Sequence, residues 1–278
     1  MKRFLFAALL LVAGSWLPAR ADDGAATIKL ISYNLRNGRA QDGPNAWEKR
    51  RPATVRMLRE EAPDLFGVQE AYLDQLQYID SECPQYARVG VGRDDGAEEG
   101  ETMAIYYLTS RFELLDSGTF WLSETPDEVS RGWDGACNRT ATWVELRDRE
   151  TGREFFYFNT HLDHMGEVAR EEGIKLLVAR IRALVGKSPV IAGGDFNTPV
   201  DSPIFKPLTR YMKSARAMAP KSDHKGTFNG FGSAPSSIVI DHLYFRGGLK
   251  CLEFRTLDGN YGVPYISDHY PIELVFAY

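Results

Sequence analysis

β-rich runs and amphipathic helical stretches interleave along this chain from Ile28 to Phe276, with no Pro- or Ser-rich linker, internal repeat or low-complexity tract to divide them. That order constrains the fold most. Interleaved strands, hairpins and helices predict one layered α/β domain rather than an all-β sandwich. Ile28 to Leu35 alternates and reads as a strand. Trp47 to Glu61 reads as a helix with Val55 and Leu58 inward and its charges outside, ended by Pro63-Asp64. Leu65 to Val68 reads as a short buried strand and Ala71 to Ile79 as a second helix. Met103–Leu108 and Phe112–Ser117 read as strands, and Arg139–Arg147 with Glu154–Thr160 as a hairpin turning at Thr151-Gly152. Gly166 to Val185 is the clearest helix, with Ile174, Leu177, Val178, Ile181 and Leu184 in one stripe. Pro189–Ala192, Ser237–Phe245 and Ile272–Phe276 complete the expected strands.

Polar side chains recur where these strands end. Asn34 closes the first, Glu70 follows Val68-Gln69, and His161 and Asp163 follow Phe158-Asn159-Thr160. Asp195 and Asn197 follow Val190–Gly194, Asp241 and His242 lie within Ile238–Phe245, and Asp268 and His269 precede the last strand. In layered α/β proteins, chemistry gathers at such ends, because side chains from distant segments converge on one rim. Oxygen donors from Asn, Asp and Glu suit a hard cation such as Mg²⁺ or Mn²⁺. No cysteine spacing resembles a zinc site. Taken singly, each has an ordinary alternative: a turn cap for Asn34, a helix N-terminal carboxylate for Glu70, a structural His–Asp pair.

At the N-terminus a basic head (Lys2, Arg3), the apolar run Phe4–Val12 and Ala19-Arg20-Ala21 stand in the order of a secretory leader. We expect residues 1–21 to be a signal peptide, residues 22–278 to be one catalytic domain, and the product to be secreted or periplasmic. No later segment approaches the roughly 20 apolar residues of a membrane span. The formal charge is −5; losing Lys2, Arg3 and Arg20 would leave −8. An acidic chain is a poor match for tight binding along a nucleic-acid backbone, so nucleic acid is not the favoured partner. In an oxidising compartment two of Cys83, Cys137 and Cys251 could pair, and spacing does not say which.

As an ordered set the segments are more specific. S-Y-N-L-R (32–36), V-Q-E (68–70), N-T-H-L-D-H (159–164), G-G-D-F-N (193–197), I-D-H-L-Y (240–244) and S-D-H-Y-P (267–271) resemble, in order, the motif series of the endonuclease/exonuclease/phosphatase superfamily. G-V-G-R-D-D-G (90–96), G-T-F-W-L-S-E-T-P (118–126) and the run 132–143 resemble a secreted bacterial branch related to its deadenylase-like members. The resemblance implies a four-layer α/β sandwich, two packed mixed β-sheets flanked by helices. It implies a hydrolase of phosphate esters that uses Mg²⁺ or Mn²⁺. Asn34, Glu70 and Asp268 would hold the metal. Asp195, assisted by Asn197, would activate water. His269, paired with Asp241, and His161 would stabilise the phosphoryl group, and Arg139 would add positive charge.

Other residues have readings of their own. Trp133, in a loop-like stretch, is a candidate substrate contact, with Phe228 and Trp121 as further cleft candidates, although Trp121 sits in an apolar run that suits the core. Arg93-Asp94-Asp95-Gly96 and Glu101 lie in a Gly-rich loop that either shapes access or is a solvated turn. Asp163 and His164 are expected to support the site, and His224 to lie on the surface. A monomer acting on a small or soluble phosphate ester is the expectation. A nuclease, a sphingomyelinase-like diesterase and, from another class, a non-catalytic binding protein on the same fold are the alternatives.

Overall fold

The computed structural model describes residues 26–278, so the expected signal peptide lies outside the described residues. Two mixed sheets pack face to face. The strands are β1 (Thr27–Asn34), β2 (Leu65–Gln69), β3 (Tyr86–Val89), β4 (Ile105–Leu108), β5 (Phe112–Trp121), β6 (Thr140–Asp148), β7 (Glu154–His161), β8 (Val190–Asp195), β9 (Lys213–Ser214), β10 (Lys221–Ser222), β11 (Asp241–Arg246), β12 (Lys250–Thr256) and β13 (Ile272–Ala277). One sheet runs β10-β12-β13-β1-β2-β4-β3 and the other β5-β6-β7-β8-β11-β9. The main helices are α1 (Trp47–Glu61), α2 (Leu73–Glu82) and α3 (Glu167–Val185). No described helix is long and apolar enough to cross a membrane.

Alternation along the strands builds the four layers. On β1, Ile28 and Leu30, with Leu274 of β13 beside them, face the other sheet and join its Phe155, Tyr157, Ile191 and Leu243. Ile31 and Tyr33 face outward into a cluster with Val55, Leu58, Leu76 and Ile79 of α1 and α2. On the far side, Phe156, Phe158 and Ala192 pack against Ile174, Leu177, Val178 and Ile181 of α3. Strands buried on both faces lack strict alternation, which is why short apolar runs such as Leu65–Val68 form central strands.

The sheets also share a polar seam. Asn159 donates from Nδ2 to the carbonyls of Val68 and Ala104, at 2.8 and 2.9 Å, and accepts from Gln69 Nε2 at 2.6 Å. Only Gly fits at residue 67, because a Cβ there would strike the Tyr157 hydroxyl and the Asn159 amide. This seam fixes how the ends of β1, β2 and β7 stand relative to one another.

Several expectations need correcting. Leu184 is exposed, and Val185 takes its place in the α3 stripe. Arg50 is not on the outside of α1: it is buried and donates to the carbonyls of Leu35, Arg36, Asn45 and Ile266. It thereby ties the loop after β1 to the loop before Asp268. The three cysteines are all free. Cys83 belongs to the helix-facing cluster and Cys251 to the core between the sheets, so packing holds those two apart.

Candidate active site

The strand ends meet at one cavity of about 550 Å³, within the size range of small-molecule sites. Glu70, Arg139, His161, Asp195, Asn197, Asp268 and His269 line it, together with Arg36, Arg93, Glu101 and Phe228. Pairing sets the centre. β7 and β8 run parallel with His161 opposite Asp195, and β8 pairs antiparallel with β11, setting Asp241 opposite Asp195. Gly194 permits the approach: its φ is +135°, and a Cβ would collide with the Thr160 carbonyl.

Asn34 is the bridge. Its Nδ2 donates at 2.9 Å to both Glu70 Oε1 and Asp195 Oδ2, while its Oδ1 accepts the Arg36 N–H at 2.9 Å. Only this orientation of the amide avoids aiming an oxygen at two carboxylates. The second oxygen of Glu70 accepts the Asn37 N–H at 2.8 Å. Glu70 and Asn197 both have left-handed backbone, φ +62° and +47°, strain of the kind that concentrates at functional sites.

The two histidines are held in opposite states. Burial disfavours charge on His269, but Asp241, whose Oδ2 accepts from Nδ1 at 2.9 Å, and Asp195 at 3.6 Å overcome it and push its pKa up to about 10. His269 is therefore a cation at neutral pH, with Nε2–H free to donate. Burial and then Arg139 hold His161 well below the ordinary histidine value. Arg139 only donates, and its Nη1 stands 3.0 Å from His161 Nδ1; at the other ring nitrogen, Nε2, the Asn197 Nδ2 donor approaches. That nitrogen stands 3.4 Å from Asp195 Oδ2 and 2.9 Å from the Asn197 amide. Asp195 is buried, which raises its pKa; the charge of His269 opposes the rise and Asp241 adds to it.

The remaining residues fall into place around this centre. Arg139 is buried and engaged at three nitrogens, by Asp163, His161 and His164, so it orients His161 as well as lending charge. Asp163 is buried, yet N–H groups of Gly166, Met165 and Ala136, with Arg139, keep its carboxyl below the usual range. Trp133 does not line the cavity: Gly132 is packed against the Leu122 carbonyl and Ser123, and the Trp133 N–H is held by Glu124. Trp121 is buried in the core. Phe228 does line the cavity, edge-on to His269 with centroids 5.0 Å apart. His242 is packed among Phe196, Phe205 and Tyr244, and His224 is exposed.

Two further residues support the site in ways residue type alone does not show. Thr227 Oγ1 accepts the N–H groups of Ile240 and Asp241, at 3.1 Å each, and so seats Asp241. Arg36 stands 3.4 Å from Asp268 and pairs with Asp42 at 3.0 Å; it lies within a quoted motif, but its left-handed backbone at φ +59° is not legible from residue type.

The donor set fits a hard divalent cation. Ligand atoms of Glu70, His161 and Asp195 lie within 4.8 Å of one another. Asp268 is pushed towards its neutral form by burial and by the charge of Glu70, repulsion that a cation would relieve.

A fold of two sheets between helices, with His, Asp, Asn and Glu gathered at the strand ends, defines a class. The chain belongs to the endonuclease/exonuclease/phosphatase family, whose model matches residues 31–269. Among solved structures it is similar to an endonuclease/exonuclease/phosphatase from Bacteroides vulgatus, 33% identical, TM-score 0.86, covering 90% of this chain and 98% of that one. It is similar also to a mannosyl-6-phosphatase from Bacteroides thetaiotaomicron, 32% identical, TM-score 0.87, covering 90% and 100%. A more distant relative is nocturnin of Drosophila melanogaster, 24% identical over 212 residues; the match takes in 68% of this chain and 31% of nocturnin.

Proposed function

We propose that this protein is a divalent-metal-dependent phosphatase that hydrolyses small soluble phosphate monoesters. The observation that carries it is the grouping of Asp195, charged His269 with Asp241, and neutral His161 around one cavity beside Glu70 and Asp268. The likeness to a mannosyl-6-phosphatase favours a monoester. The acidic charge and a cavity with Phe228 as its one aromatic wall disfavour long nucleic acids.

Glu70 and Asp268 would hold Mg²⁺ or Mn²⁺, with Asn34 positioning Glu70 through its Nδ2 rather than offering its oxygen; the ion when bound would neutralise charge on the phosphate and the leaving oxygen. Asp195 orients water for attack and takes its proton; Asn34 and the Asn197 N–H, at 2.9 and 2.8 Å, fix the carboxylate. His269, charged through Asp241, donates from Nε2 to an equatorial phosphate oxygen. His161, held at Nδ1 by Arg139, stands beside a second phosphate oxygen. Export after removal of residues 1–21 is part of the same proposal, supported by the leader-like order of that segment.

The test is parallel hydrolysis of p-nitrophenyl phosphate and bis-p-nitrophenyl phosphate in Mg²⁺, Mn²⁺ or EDTA. Faster, EDTA-sensitive turnover of the monoester is the expected result. Preference for the diester, or turnover that EDTA does not touch, would contradict it.

A further inference from the structure

The cavity has a second wall that the chemistry above does not use. It is presented by the loop from Gly90 to Thr102, which is held from within. Backbone N–H groups of Gly92, Arg93 and Asp94 donate to the carbonyls of Ala97, Glu101 and Glu99. Asp95 Oδ1 accepts from the N–H groups of Ala97 and Glu99 at 2.7 and 2.9 Å. Trp121, anchored in the core, donates from Nε1 to the Arg93 carbonyl at 2.7 Å. Gly92 lies so close to the Glu98–Glu99 backbone that no side chain fits there. The loop is therefore pre-organised by its own backbone, as a recognition element must be.

What it holds at the cavity is an ion pair flanked by an amide. Glu101 is buried, 6% exposed, and accepts from Arg93 Nη1 at 2.5 Å and from Asn37 Nδ2 at 3.3 Å. Buried Arg93 Nε–H has no hydrogen-bond partner among the described residues; the nearest carboxylate oxygen, on Asp94, is 3.9 Å away. That nitrogen is sealed from solvent; what a ligand in the cavity meets is the side chains of Arg93, Glu101 and Asn37 that line it. The three side chains line the same cavity as Asp195 and His269.

A paired Arg and Glu have little net charge to attract a second phosphate. They offer donors and acceptors side by side, which matches a group that both gives and takes a hydrogen bond. Adjacent hydroxyls do both. A nucleobase would instead want a flat stacking partner, and Phe228 stands edge-on against His269. We propose that Arg93, Glu101 and Asn37 form a hydroxyl-recognition subsite that selects a sugar or polyol as the leaving group of the phosphate ester. The inference rests on the phosphatase reading and goes beyond it by assigning substrate class to this loop.

The test is the ratio of kcat/KM for a hexose 6-phosphate to that for p-nitrophenyl phosphate, which has no sugar hydroxyls, in wild type and in Glu101→Gln. Loss of a hydrogen bond to a charged group should lower the ratio roughly 10- to 100-fold. A ratio that stays fixed while both rates fall would show a structural role and overturn the inference, as would a wild type that prefers p-nitrophenyl phosphate. If Glu101→Gln does not fold, Asn37→Ala is read in the same way, with the same outcomes. If wild type turns over no ester, the phosphatase reading fails, and calorimetry of hexose 6-phosphate binding in EDTA decides the subsite. Binding weakened about 10-fold by Glu101→Gln supports it; equal binding overturns it.

Discussion

His269 shows how facing carboxylates set a protonation state. Its ring is buried, which alone would strip its proton, yet Asp241 at 2.9 Å and Asp195 at 3.6 Å carry it to about 10. Asp241→Asn should therefore lower the His269 pKa, and with it the fraction able to donate to phosphate at neutral pH. Histidine ring NMR across pH 5–10 reads this directly; an unshifted titration would remove Asp241 from that role. His161, also beside Asp195, is held well below the ordinary histidine value instead, by burial first and then by Arg139. Residue type made both histidines candidates. The resemblance implied the pair of His269 with Asp241; that Arg139 would face Nδ1 of His161 was not legible, because it depends on how the ends of β6 and β7 pack. Trp133 fails as a cavity residue for the same reason: its place depends on the packing of Gly132.

Elements were legible where period and burial agree. The bounds of α1 match the sequence expectation, and α3 begins one residue later, at Glu167. β3 and β12 were not read as strands. Tyr86–Val89 is half-buried along its length, and Lys250–Thr256 interleaves Lys, Glu and Arg with its apolar residues. β9 and β10, two residues each, exist only through the strands they pair with. β5 continues past Ser117 because Gly118 gives room to the Trp143 ring rather than ending the strand. The β8 end is the most demanding element. Gly194→Ala would place a Cβ on the Thr160 carbonyl at φ +135°, and should cost roughly 3 kcal/mol from strain and overpacking. Urea unfolding measures it, and a change below about 0.5 kcal/mol, the range of neutral surface substitutions, would contradict the account of that crossing.

At the scale of the whole molecule, two sheets between helices were what the resemblance of the ordered motifs implied. The seam through Asn159, Gln69 and Gly67 was not legible, since its meaning depends on which strands face each other. His242 links the fold to pH. Burial lowers its pKa to about 4, from an ordinary 6.5. A histidine depressed in the folded state adds stability that is full above the unfolded value and is lost as pH falls from about 6.5 through about 4. Over that window it should contribute up to roughly 3 kcal/mol. His242→Gln keeps a donor for the Thr198 carbonyl and should flatten the pH dependence of urea stability between those limits. An unchanged slope would show that His242 is not the linked group.

The central claim is that Asp195, fixed by Asn34 and Asn197 between one charged and one neutral histidine, activates the attacking water. The direct measurement is kcat for p-nitrophenyl phosphate in Mg²⁺, for wild type and Asp195→Asn, with circular dichroism to confirm that both are folded. A fall of about 10²–10⁴-fold in a folded variant is the expected result; wild-type turnover by folded Asp195→Asn would contradict it.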